Sequence, residues 1–116
     1  MGNNKKLGTE GERLAGEYLA GNGYVILERN YRSGRSEIDL IVSKDDVLVF
    51  VEVKTRSRVD FGMPEDWVDE KKAEMITSGA EDYLEENEWN GNIRFDIVAI
   101  IMKNVPEIEH FEDAFY

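Results

Sequence analysis

The run Val47-Leu48-Val49-Phe50-Val51-Glu52-Val53-Lys54-Thr55 constrains this chain more than any other stretch, because it sets two opposite charges inside a β-branched and aromatic segment. That composition belongs to a buried strand. An unpaired carboxylate or ammonium there is costly, so Glu52 and Lys54 need a partner or a chemical role. A second strand-like run, Glu37-Ile38-Asp39-Leu40-Ile41-Val42, carries Asp39, with twelve residues between it and Glu52. The polar Ser43-Lys44-Asp45-Asp46 between the runs has the length of a hairpin connection, so the strands are expected to pair antiparallel. Residues two apart share a face, which groups Glu37 with Asp39 and Glu52 with Lys54. Both sets can converge at one edge of the sheet. Two acidic oxygen donors beside an ammonium suit a hard divalent cation, with the lysine left for a phosphate or a water.

Asp39, the twelve-residue gap and Glu52-Val53-Lys54 resemble the signature of the PD-(D/E)xK nuclease superfamily, which includes restriction endonucleases and archaeal Holliday-junction resolvases. The likeness is closer to one branch. Gly8-Thr9-Glu10-Gly11-Glu12, Arg29-Asn30-Tyr31-Arg32, Gly34 to Ile41, Phe50 to Arg56, Arg94-Phe95-Asp96 and His110-Phe111 together resemble the YraN family of small predicted endonucleases, nearly end to end. The bare acid, gap, acid, x, lysine pattern is weak, whereas the ordered blocks over one small domain are specific.

The resemblance implies an α/β fold with a restriction-endonuclease-like core, a mixed β-sheet flanked by helices in α-β-β-β-α-β order. It implies metal-dependent hydrolysis of phosphodiester bonds in DNA, structured or branched DNA included. Asp39 and Glu52, with the Val53 carbonyl, would hold Mg²⁺ or Mn²⁺, and Lys54 would orient or help deprotonate the attacking water. Glu12 would be a further acid of the site, with Glu37, Arg94 and Asp96 of second rank. Resolvase-like relatives also raise a homodimer, although no spacing here establishes a self-complementary surface.

Length and composition frame these expectations independently. At 116 residues and 41% hydrophobic, the chain is expected to form one domain over residues 1–116 with a modest core. The longest apolar run, Ile97 to Met102, falls far short of the roughly 20 residues needed to cross a bilayer, and the polar start Met1-Gly2-Asn3-Asn4-Lys5-Lys6 has no apolar run behind it. A soluble cytoplasmic protein is the expectation, and Lys6 stands where a myristoylation signal wants Ser or Thr. Without cysteine there is no disulfide or thiolate metal site.

A net charge of −11 is awkward for a partner of nucleic acid, whose phosphates are bound mainly by Lys and Arg. The distribution helps. Residues 1–58 hold ten Lys/Arg against nine Asp/Glu, while residues 59–116 hold four against sixteen. Arg29, Arg32 and Arg35 precede Asp39, and Arg56 and Arg58 follow Lys54. Each could simply neutralise a nearby carboxylate; as a set, Arg32, Arg35, Arg56 and Arg58 favour phosphate. No motif suggests base readout, so recognition of backbone and shape is expected.

Helical spacing predicts a first helix over Leu7–Asn22, stopped by Gly21 and Gly23, and a second over Asp66–Asn87. Tyr24 to Leu27 opens a first strand, Glu37–Ser43 and Val47–Thr55 form the hairpin, and Arg94–Met102 forms a late strand, with one or two strands expected after the second helix. Val68, Met75, Ile76, Ala80, Tyr83 and Leu84 make an apolar stripe that reads as packing. Thr9-Glu10-Gly11-Glu12 also fits a capping box, in which Glu12 returns a bond to the Thr9 amide; the resemblance favours the site role. Glu37 could pair with Arg35 or Arg56, and Arg94 with Asp96 fits a structural ion pair. Lys71 and Lys72 lie among acidic neighbours, where helical pairing is the default. Lone His110 lacks the partners for zinc and reads as tail packing. The alternative to an enzyme is a non-catalytic nucleic-acid- or protein-binding module on the same fold. A third reading makes the charged strand a closed ion-pair network.

Overall fold

The computed structural model describes the backbone of residues 2–56 and 68–115 and the side chains of residues 8–56 and 68–115. Seven elements follow in order: α1 (Gly2–Gly21), β1 (Val25–Ser33), β2 (Ser36–Lys44), β3 (Val47–Arg56), α2 (Glu70–Glu86), β4 (Asn92–Ile101) and β5 (Glu107–Phe111). The five strands form one sheet in the order β1-β2-β3-β4-β5. β3 and β4 are parallel, and the other neighbours are antiparallel. The fold is α/β, a mixed sheet flanked by helices in the expected order, with β5 added at the end.

The β2–β3 hairpin closes on Asp45 and Asp46, both at positive φ (52° and 64°), between the paired Lys44 and Val47. Two successive left-handed residues make the turn whose twist matches that of the flanking strands, and Asp tolerates that conformation. A parallel partner for β3 cannot come from a tight turn. It needs a crossover, and α2 lies in the segment that provides one. With β3 and β4 covered on both faces, their buried positions run nearly unbroken, Leu48 to Glu52 and Phe95 to Ile101.

Alternation sorts the core into two halves. Ala73, Ile76, Ala80 and Tyr83 of α2 pack with Ile41, Leu48, Phe50, Phe95 and Ile97. Ala15 and Leu19 of α1 pack with Leu40, Val42, Val49, Val51, Val98 and Ile100. The helices therefore cover opposite faces. Gly11 brings α1 close to β3, since a Cβ there would collide with the Thr55 side chain.

Several boundaries differ from expectation. α1 begins at Gly2 rather than Leu7, so Thr9 and Glu12 are internal to the helix and the capping-box reading of Glu12 fails. α2 begins at Glu70 rather than Asp66, because Asp69 caps it by accepting from the Lys72 amide at 2.8 Å. β1 continues past Leu27 to Ser33 as a largely exposed edge strand, whose polar residues give no alternating signal. Arg58 and the loop Ser57 to Pro64 lie outside the described residues. Among the described residues, no helix is long and apolar enough to cross a membrane.

Candidate active site

The β2–β3 ladder ends at the pair Leu40–Val51, and the next residues along are Asp39 and Glu52. Both line a cleft of about 330 Å³ beside the first turns of α2, together with Arg35, Glu37, Lys71 and Lys72. Asp39 Oδ2 accepts the Val53 amide at 2.7 Å, which ties it to β3 where the strands part. Val53 thus enters the site through its backbone.

Glu52 is 3% exposed. Lys72 Nζ stands 2.7 Å from its Oε2 and Lys54 Nζ 4.0 Å. The Lys72 ammonium lies near but off the line that a directed bond requires, and among the described residues Oε2 has no aligned hydrogen-bond donor. The contact is one of charge. Asp39 and Glu52 are close enough to share a proton. Burial, then the hydrogen bond to Glu52 and its charge, push Asp39 up to about 9. Burial works against the Glu52 carboxylate too, yet the bond from Asp39 and the two lysines hold it below its usual range. Two crowded carboxyls seldom ionise together, and of the two it is the charged form of Asp39 that is disfavoured.

Burial lowers the Lys54 ammonium; Glu52 opposes that, while Lys72 and Arg56 reinforce it. For Lys72 burial is outweighed by Glu52, and its pKa rises. One lysine is thereby eased toward neutrality while the other stays a firm cation. Glu12 approaches from α1, on the other face of the sheet. Burial raises it, a hydrogen bond with Asn30 opposes that, and the charges of Glu37 and Glu52 add to the rise. Asn30, at φ 53°, stands opposite Asp39, between the pairs Arg29–Leu40 and Tyr31–Ile38. Glu12 is within electrostatic range, but no group of three or more His, Cys, Asp or Glu among the described residues is arranged to hold a metal.

The other expected residues are scattered. Glu37 pairs with Arg32 at 3.0 Å, not with Arg35 or Arg56. Arg35 lines the cleft. Arg56 is exposed at the end of β3 and donates to the Thr55 carbonyl at 2.9 Å. Arg94 and Asp96 do not join Asp39 and Glu52. Asp96 is fully buried and accepts from Arg94 Nε at 2.8 Å and Nη2 at 2.9 Å, from the Asp113 amide at 3.0 Å, and meets His110 Nε2 at 2.7 Å. Arg94 also donates to Tyr24 Oη at 2.7 Å, and His110 packs edge-on to Tyr18 and Tyr24, which belong to the core half under α1. Lys72 is the residue that helical pairing misassigned. One signal pointed to it: Lys71 and Lys72 are the only basic residues between 59 and 93.

Comparison with known proteins places the chain among close relatives. A family profile described as Uncharacterised protein family UPF0102 matches residues 11–100. A UPF0102 protein of Flavobacterium psychrophilum is 44% identical over 117 residues, covering 100% of this chain and 98% of that one. One from Dictyoglomus turgidum is 43% identical over 111 residues, 95% of this chain and 94% of its own. Among solved structures, Pyrococcus furiosus SfsA in complex with Ca²⁺ aligns with 94% of this chain and 63% of its own, at 15% identity and a TM-score of 0.36, too slight a likeness to bear on fold or function.

Proposed function

The chain belongs to the UPF0102 family, the YraN family of the sequence resemblance, and from that premise we propose that it is a metal-dependent endonuclease of the PD-(D/E)xK type, hydrolysing phosphodiester bonds in DNA. The observation that carries this reading is the meeting of Asp39 and Glu52 at the parting of β2 and β3, in a cleft that Lys72 also lines, with Lys54 Nζ 4.0 Å from Glu52. Burial of two carboxyls against each other destabilises a fold, and a site for chemistry is a physical reason to keep them.

The donor set fits Mg²⁺ or Mn²⁺. Mg²⁺ is commonly bound through one or two carboxylates and leaves its other positions to waters and substrate phosphates, so Asp39 and Glu52 suffice. Glu52 Oε2, buried without an aligned donor, is an oxygen such an ion would satisfy. Asp39 and Glu52 would hold it, with the Val53 carbonyl. Bound there, the ion would lower the pKa of a water and offset charge on the phosphate. Lys54, eased toward neutrality by burial, is suited to take a proton from the attacking water or to hold it in line. Arg35 and Lys71 on the cleft wall would meet the flanking phosphates, reading backbone and shape.

One observation favours a second reading. The charge contact between Lys72 and Glu52 is what a closed ion-pair network, or a binding module without turnover, would retain. Cleavage of labelled single-stranded, duplex, flap and four-way-junction DNA in Mg²⁺ or Mn²⁺, beside Asp39→Asn and Lys54→Ala, decides. Cutting that needs metal and is lost in both variants supports the endonuclease. No cutting, with equal DNA binding by all three proteins in chelator, establishes the module instead.

A further inference from the structure

Glu52 carries its charge almost wholly out of water, and among the described residues the nearest cation to Oε2 is an ammonium delivered from another element. Asp69 caps α2 through the Lys72 amide, which fixes the first turn of the helix beside the cleft and aims Lys72 at Glu52. Only the backbone of Lys72 is pinned in this way. Its side chain is 45% exposed and meets Oε2 off the line of a directed hydrogen bond. Lys54 differs, being 16% exposed and 4.0 Å away, with a backbone built into β3. The near cation is thus the loosely held one, and the far cation the firmly held one.

We propose that Lys72 is a positioning residue, the counter-ion that Glu52 carries until a divalent metal arrives and that the metal then displaces. The inference rests on the metal-dependent reading above. A divalent ion and an ammonium cannot both occupy the space against Oε2, and their like charges repel at that range. With Lys72 in place, the carboxylate faces a cation 2.7 Å away, and a metal must compete with that cation for Oε2. The long exposed side chain can withdraw into the cleft where Arg35 and Lys71 already stand.

Isothermal titration of the full chain with Mn²⁺ tests this, comparing wild type with Lys72→Met, Lys72→Arg and Lys71→Met. Lys72→Met should bind Mn²⁺ on the order of tenfold more tightly, because the competing charge is gone. Lys72→Arg should bind no more tightly than wild type, and Lys71→Met should stay within about twofold of it, since Lys71 lines the same cleft without an ion pair to Glu52. If Lys72→Met does not fold, Lys72→Gln replaces it. Unchanged or weaker binding in the neutral variant overturns the inference, and so does equal tightening in Lys71→Met, which would reduce it to a general charge effect. A wild type that binds no Mn²⁺ overturns the metal-dependent reading itself.

Discussion

Two buried acidic centres lie on opposite faces of one sheet and end in opposite states. Asp96, on the face of α1, is met at both oxygens by the Arg94 fork, the Asp113 amide and His110. Burial works against its charge, but these partners hold its pKa below the usual range. Asp39, beside α2, has one backbone amide and a second carboxyl as neighbours, and rises to about 9. Burial is common to both. The number of aligned donors among the described residues separates a knot that ties β4, β5 and the chain end together from a pair of carboxyls crowded against each other.

The sharpest way to break this contrast is a substitution at each centre. Asp39→Asn should lower cleavage by about 10³-fold or more while leaving thermal stability unchanged or higher, since it removes a crowded carboxyl. Asp96→Ala should do the reverse, costing about 3 kcal/mol in chemical denaturation because Arg94 loses its partner, while the folded fraction keeps its activity. Loss of activity without loss of stability at Asp96 would erase the distinction between the centres.

Metal should also act on one side alone. Mn²⁺ at 100 times its Kd should add about 2.7 kcal/mol to the unfolding free energy of wild type and of Asp96→Ala, and far less to Asp39→Asn. Because Asp39 holds a proton that a bound cation would expel, the heat of Mn²⁺ binding should vary with the ionisation enthalpy of the buffer.

The pH dependences should have opposite signs. Asp39, raised in the fold, favours the folded state most at low pH and loses that contribution as pH climbs from its ordinary value near 3.8 through about 9, so Asp39→Asn should flatten the fall. Asp96, lowered in the fold, contributes fully above its ordinary value and loses that contribution as pH drops through its depressed one. Denaturation curves across pH read both. The smallest effect is expected at the rim, where Arg35→Ala should reduce the salt slope of DNA binding by about one without altering metal affinity.

Much of this was legible in the sequence. A charged pair in an apolar run, a second acid across a twelve-residue gap and a polar turn between them pointed to Asp39 and Glu52 meeting, and the two-residue turn at Asp45 and Asp46 brings them together. Three features were not. The length of β1 beyond Leu27 is hidden because an exposed edge strand has no apolar face to alternate. Glu12 fits a cap as well as a site because Thr9 and Glu12 have the right spacing wherever the helix starts, and α1 starts a full turn and more upstream. Arg94 and Asp96 read as an ion pair and form one, but their spacing gives no sign of the face to which they turn or that His110 and Asp113 join them.

Local chemistry is therefore what the sequence determined by itself: strand and helix periodicity, the hairpin, and the need of Glu52 and Lys54 for partners, all of which depend on residues close along the chain. Only the tertiary structure decided that Lys72, twenty residues beyond Glu52, reaches it through the cap at Asp69, and that His110, fourteen beyond Asp96, closes the other centre. Those pairings depend on which face of the sheet each helix and strand covers, and that is settled by burial summed over the whole fold rather than by any segment's own pattern.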